Sequence, residues 1–228
     1  MPLNNHDRIS HVKTLVRSLW LLIGMLLLPH LAAAADYRVS VIGKDGLPVE
    51  DAVVELLPES PSTPEPETTT PHKMSQQNRT FIPFVMAVAK DEKVTFPNLD
   101  RTRHHVYSFS PAKPFELKLY VGTPREPVVF DQPGIVAIGC NIHDYMQAFI
   151  YVSESPYVVV TDHRGDAELA GLPAGNFSLR VWHPWQVGGL LESTLTLPAA
   201  SSNAQFVIDI ERQEKPSPPP AGFGGLGL

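Results

Sequence analysis

The chain has 228 residues, 43 % of them hydrophobic and 18 % charged, with 18 basic and 24 acidic side chains and a formal charge of −6. That is enough apolar material for one large β domain or two small ones with separate cores. The acidic balance leaves no basic surface of the size a nucleic acid needs, which excludes that class of partner. Twenty-three prolines and fifteen glycines punctuate short runs of aromatic and β-branched residues, a pattern of many short strands and an all-β fold class.

In chain order, Arg8, Lys13 and Arg17 come first, then the apolar run Leu19 to Leu28, then the small residues Ala32 to Ala35. This reads as an export signal, residues 1–35, cleaved after Ala35. The run is too short to span ~30 Å of hydrocarbon, and Pro29-His30 interrupts it. A twin-arginine pair is missing, so the general secretory route and a periplasmic location are expected. Cleavage removes three basic side chains and Asp7, leaving fifteen basic and twenty-three acidic ones and a formal charge of −8. No later apolar run is long enough for a transmembrane helix, so a soluble monomer without stable membrane insertion is expected.

Residues 36–58 read as a strand, a turn at Lys44 to Pro48 and a returning strand. Residues 59–73 are rich in Pro, Ser, Thr and Glu without periodicity, which fits a solvated linker. Residues 74–153 carry strands at about 8–12-residue spacing, as in a β-sandwich or barrel. Residues 154–212 add four more, at Tyr157 to Thr161, Phe177 to Trp182, Leu191 to Leu197 and Gln205 to Ile210. Residues 213–228 read as a disordered tail.

Cys140 is the single cysteine. An exported protein with one cysteine cannot close an internal disulfide, and a free thiol in an oxidising compartment is a liability unless it is buried or bound. Its surroundings, Gly139-Cys140-Asn141-Ile142-His143-Asp144-Tyr145-Met146, place a thiolate, an imidazole and a thioether within seven residues. The expected setting is a loop between strands at 134–138 and 147–152. His104-His105 lies 36 residues upstream at the start of another strand. Two histidines, one cysteine and a weak axial methionine form the ligand set of a mononuclear blue-copper site. Methionine is not among zinc's usual ligands. The candidate ligands of one copper ion are therefore His104, Cys140, His143 and Met146, with His105 as the alternative to His104. His72, His163 and His183 carry weaker signals: a linker, a turn, and a strand end where Trp182-His183-Pro184-Trp185 packs and turns.

The segment from Met74 to Val152 resembles the cupredoxin family, which includes plastocyanin, pseudoazurin and amicyanin. Val94-Thr95-Phe96-Pro97-Asn98 before His104-His105-Val106, and Phe130-Asp131-Gln132-Pro133-Gly134 before Cys140, His143 and Met146, carry the resemblance. It implies a Greek-key β-sandwich. The two residues between His143 and Met146 match the short amicyanin loop. The whole chain is also similar to exported bacterial proteins labelled for methylamine utilisation. The family commonly has Asn after its first ligand histidine, where this chain has His105. Alternation along a strand turns neighbours to opposite faces, so one of His104 and His105 faces the site and the other could brace it. The pieces DGLPVEDAVVELLP and VVVTDHRGDAELAGLPAGNFSLRVW resemble the two halves of a carboxypeptidase-regulatory-like, transthyretin-like sandwich. A second small sandwich built from the flanking segments is expected, with the cupredoxin part inserted in one of its loops.

The implied function is one-electron transfer between redox protein partners, not catalysis. Copper oxidases and nitrite reductases of this kind carry His beside the Cys, and here Gly139 and Asn141 flank it. Copper trafficking without a redox partner and a cell-surface binding module are the alternatives. Arg101, Arg103, Lys113, Lys118 and Arg125 are candidates for a weakly basic docking face.

Overall fold

Alternation of inward apolar and outward polar side chains builds most of the regular elements among the described residues, and all of those elements are strands. The computed structural model describes residues 35–60, 70–199 and 201–219. The export-signal expectation for residues 1–34, most of the expected linker and the end of the tail lie outside them. The first elements are β1 (Ala35–Gly43), β2 (Val53–Pro58), β3 (His72–Lys73), β4 (Ser75–Gln77), β5 (Thr80–Ile82), β6 (Val85–Ala89), β7 (Lys93–Thr95), β8 (His104–Ser108) and β9 (Phe115–Tyr120). Then come β10 (Val128–Val129), β11 (Gly134–Cys140), β12 (His143–Ser153), β13 (Val158–Val160), β14 (Asp166–Leu172), β15 (Gly175–Trp182), β16 (Leu191–Leu197) and β17 (Asn203–Ile208).

The strands form two lobes. In the first, β1 lies between β14 and β17, and a second sheet has the order β13-β2-β15-β16. Tyr37, Val39 and Val41 on β1 face Val54, Leu56, Phe177, Leu179 and Ile208 in one core. Val53 to Leu56 are all buried because both faces of β2 are covered: Val54 and Leu56 face this core, and Val53 packs in the cluster that joins the lobes. A strand covered on both faces reads as a continuous apolar run. Both strands of 35–58 therefore pair with strands beyond residue 157, and the second lobe occupies the chain between them.

That second lobe has a five-stranded sheet of order β6-β12-β11-β8-β9, a three-stranded sheet β10-β7-β3 and the hairpin β4-β5. Its core holds Met74, Phe96, Val106, Phe130, Val136, Ile138 and Ile150, together with Cys140 and Met146. Each such side chain removed from water contributes ~1.5–3 kcal/mol.

The lobes meet through Val53, Phe84, Val85 and Tyr151, packed against Trp182 and Trp185. The Phe84 and Trp185 rings lie 5.4 Å apart and those of Phe149 and Trp182 6.0 Å apart. A polar cluster sits beside them. The buried Glu55 carboxylate accepts hydrogen bonds from Tyr151 Oη at 2.8 Å, Ser153 Oγ at 2.5 Å and the Glu154 N–H at 3.0 Å, and Arg180 lies 3.5 Å away.

Four expectations need correction. The ligand segment is no eight-residue loop, since β11 runs to Cys140 and β12 starts at His143. His72 is not in a solvated linker: it pairs with Val94 on β7, and its Nε2 lies 3.0 Å from Glu92 Oε2. Strand β14 was hidden because its buried leucines, Leu169 and Leu172, are three apart. The register against β1 shifts there, and Gly171 takes φ +68°, so a bulge restores both side chains to one face. In the tail, Lys215 is held 2.7 Å from both Glu50 and Asp51.

Candidate metal centre

The candidate site is built by pairing across three strands. Asn141 and Ile142 make the whole connection between β11 and β12, so Cys140 stands opposite His143, with a register slip between Gly139 and Cys140. Cys140 also pairs with Val106 on β8, which brings His104, two residues earlier on the same face, alongside the thiol. The result is close: His104 Nδ1 and His143 Nδ1 each lie 3.8 Å from Cys140 Sγ. All three donor atoms fall within 4.8 Å of one another, and the imidazole centroids are 5.0 Å apart. His104 and Cys140 are buried, while His143 is partly exposed.

A second set of side chains fixes the first histidine. His104 is 0 % exposed, and its Nε2 lies 2.8 Å from Asp100 Oδ2. A carboxylate only accepts, so His104 carries its proton on Nε2 and presents the Nδ1 lone pair to Cys140. Asp100 is held in turn by the N–H groups of Asn78 and Arg79, at 2.8 and 2.9 Å. Both residues adopt left-handed backbone, φ +53° and +57°, which aims two successive N–H groups at one carboxylate. Burial opposes ionisation of Asp100, but the bonds from Arg79, His104 and Asn78 outweigh it and hold the carboxyl below its usual range. Behind this, Asn98 donates to Thr102 O and Tyr120 O and accepts from the Asp100 N–H. The Tyr120 hydroxyl donates to Phe96 O at 2.6 Å. Burial, the largest cause, lowers the pKa of His143, which favours the neutral ring that a metal ion needs.

His105 points away from Cys140. Its Nε2 lies 3.0 Å from Glu116 Oε1 but outside hydrogen-bond geometry, and its ring is tilted against that of Tyr107, the centroids 5.9 Å apart. Of the two adjacent histidines, His104 is therefore the one brought to the thiol. Met146 is fully buried in the core that also holds Cys140. Gly139 has a structural duty, because a Cβ there would meet the Tyr107 ring at 3.0 Å.

The spacing fits a metal. Metal–nitrogen and metal–sulfur bonds of about 2.0 and 2.3 Å in a trigonal plane put sulfur about 3.7 Å from each nitrogen. Sequence reasoning missed Asp100, Asn98 and Arg79; the only trace of the first was a carboxylate four residues before His104. The expected basic face shrinks, since Lys113 pairs with Asp131 at 2.8 Å and Lys118 lies 3.9 Å from Glu116.

Comparison with protein-family models and with curated protein sequences gives no match. Solved structures similar to the chain include a Cu-containing nitrite reductase from Thermus scotoductus SA-01, with 23 % identity over 43 % of this chain and a TM-score of 0.36. The match covers 25 % of the reductase chain, so this chain spans about a quarter of it. A purple cupredoxin from Nitrosopumilus maritimus matches at 19 % identity over 36 % of this chain and 99 % of its own, TM-score 0.33. Oxidised plastocyanin from Dryopteris crassirhizoma matches at 18 % identity over 36 % of this chain and 99 % of its own, TM-score 0.32.

Proposed function

We propose that the chain is an exported cupredoxin-type protein that binds one copper ion through His104, Cys140, His143 and Met146 and carries single electrons between redox proteins. The observation that carries this reading is the pair of 3.8 Å distances from Cys140 Sγ to the two imidazole Nδ1 atoms, at the separation a trigonal nitrogen–sulfur set requires. Copper, when bound, supplies a one-electron couple suited to thiolate, imidazole and thioether donors. Asp100 fixes the tautomer and ring plane of His104, as outer partners of ligand histidines do. The β8, β11 and β12 pairings hold the donors on rigid strands, so little rearrangement accompanies a change of charge. Phe130, Val106 and Ile138 keep water from the buried side. His143 is the partly exposed ligand and offers the edge through which an electron leaves. Gly139 and Asn141 flank Cys140 and carry no group that would pass the electron to a second reactive site. The reading is therefore carriage without catalysis, and the N-terminal signal pattern supports a periplasmic location.

The test is colour. Adding Cu(II) to purified protein is expected to give an intense blue absorption that ascorbate bleaches and an oxidant restores, and that Cys140→Ser lacks. A colourless copper complex that cannot be reduced and reoxidised would refute the reading.

A further inference from the structure

The outer face of the five-stranded sheet is covered over one half and open over the other. Met146, Ala148 and Ile150 on β12 face the core, so Phe149 and Tyr151 point outward, where both meet Trp182, while Phe84 meets Trp185. That half is the lobe junction. The half on β8 and β11 is aromatic too, but nothing lies over it among the described residues. The Tyr107 and Phe109 rings are 5.1 Å apart, and Phe109 is 85 % exposed. Strand register makes a groove here. Tyr107 pairs with Gly139 and Gly139 with Gln147, while Ala137 pairs with Phe149. The floor is therefore Gly139 and Ala137, with Tyr107 and Phe109 on one side and Gln147 and Phe149 on the other. The hollow has a volume of about 400 Å³, and its walls stand two strand spacings, ~9–10 Å, apart. No charged side chain lines it, on a chain with 18 basic and 24 acidic residues. The Tyr107 hydroxyl and the Gln147 amide have no hydrogen-bond partner among the described residues.

Proline and tryptophan cover the adjoining surface. Trp182-His183-Pro184-Trp185 crosses the lobe junction, and Pro83 and Pro216 line a neighbouring hollow together with Phe84 and Gln147. Pro216 and Pro218 are both half-buried. Because Gln147 lines this hollow and the groove alike, a proline-bearing stretch of the chain already runs to the groove's edge. We propose that the groove along β11 docks an uncharged, proline-rich extended segment of a partner protein. A polyproline II segment makes no internal hydrogen bonds, so its carbonyls are free to accept from the Tyr107 O–H and the Gln147 N–H. Its rings pack on Tyr107 and Phe109, and its preset backbone loses little entropy on docking. A charged segment would bury its charge in the groove without a counter-ion. The inference goes beyond the electron-transfer reading and does not depend on copper.

The probe is a proline decamer capped at both ends, titrated into the isotope-labelled, copper-free full chain. Saturable shifts are expected at the amides of residues 107–110, 137–139 and 147–149, nearly independent of salt, and a capped Gly-Ser decamer should produce none. Phe109→Ala, at an exposed position that folding does not need, should weaken binding ~10-fold or more, the size expected for a truncated aromatic anchor. Tyr107→Phe keeps the ring and removes the hydroxyl, and should cost a few-fold. The proposal is overturned by the absence of saturable shifts, by shifts centred elsewhere, by equal binding of the Gly-Ser decamer, or by unchanged affinity in Phe109→Ala. Two further measurements separate the other occupants. If Pro216→Ser with Pro218→Ser moves the groove amides and tightens decamer binding, the groove belongs to the chain's own tail. If sedimentation shows a dimer that Phe109→Ala dissolves, it belongs to a second copy. Either result would set aside a partner protein, whereas groove amides that are unmoved by the proline changes in a monomeric chain support one.

Discussion

Glu55 at the lobe junction and Asp100 beside the candidate site are both well-held carboxylates, but their clusters end differently. Glu55 is 1 % exposed and meets three donors and an arginine, so its lone pairs are all answered from within the protein. Asp100 is answered too, by His104 and the N–H groups of Asn78 and Arg79. Its chain of bonds continues, however, to His104 Nδ1, Cys140 Sγ and His143 Nδ1, which touch only through weak sulfur–nitrogen contacts at 3.8 Å. Buried polar groups are normally paired. A cluster in which donors match acceptors joins two pieces of structure, whereas a surplus of lone pairs converging on one point asks for a cation.

The strongest challenge to that contrast is Cys140→Ser, expected to lower Cu(II) affinity more than ~100-fold, beyond what loss of an outer partner costs. Competition titration against a chelator measures it, and a loss below tenfold would mean that the thiolate is not a ligand. Next comes Arg180→Met, which leaves the Glu55 carboxylate buried without its cation. Such breakage costs ~3–5 kcal/mol, and with Arg180 partly exposed the lower end is expected in urea unfolding, with copper affinity unchanged. An affinity that fell along with stability would show that the two clusters are coupled.

His183, 3 % exposed, extends the comparison to pH. Burial lowers its pKa from 6.5 to about 4, so between those values the unfolded chain holds a proton that the folded chain refuses. Its contribution is complete above pH 6.5 and is lost as pH falls toward 4, on the order of 3 kcal/mol at ~1.4 kcal/mol per unit. Unfolding midpoints across that range should show the slope, and His183→Asn should flatten it. A smaller effect is expected from Asp100→Asn, a 10–100-fold loss of copper affinity. Here it is Cys140→Ser that sets the scale, since an outer residue should cost less than a ligand.

The metal donors were legible because Cys140, His143 and Met146 lie within seven residues and one short connection carries them. The choice between His104 and His105 was not, because alternation separates two faces without saying which one is inside. The pairing of Cys140 with Val106 decides it, and that contact joins residues 34 positions apart. Asp100 escaped for a similar reason. Its role depends on the left-handed backbone of Asn78 and Arg79, and neither residue type demands that conformation. The strand pattern of the second lobe was readable from period two, but β14 was not, since its leucines are spaced as on a helix and only the bulge at Gly171 sets them on one face.

The smallest expected effect concerns the roof over the site. Gly139 precedes the thiol and pairs with Tyr107, and a Cβ there would stand 3.0 Å from both Cζ and Oη of the Tyr107 ring. Overpacking commonly costs ~1–3 kcal/mol. The clashing atoms are, however, the far end of a flexible, partly exposed side chain, and Phe109 beyond it is 85 % exposed, so the ring can swing outward. Gly139→Ala should therefore cost ~1 kcal/mol or less. Most of that should vanish in the Tyr107→Ala background, a coupling that a double-mutant cycle measures. The blue absorption is the second readout. If the ring alone moves, β11 keeps its register and the colour is unchanged. A shifted spectrum in Gly139→Ala that Tyr107→Ala restores would show that the tyrosine pushes the strand instead, and that the lone-pair cluster is held from its outer face as well as through Asp100.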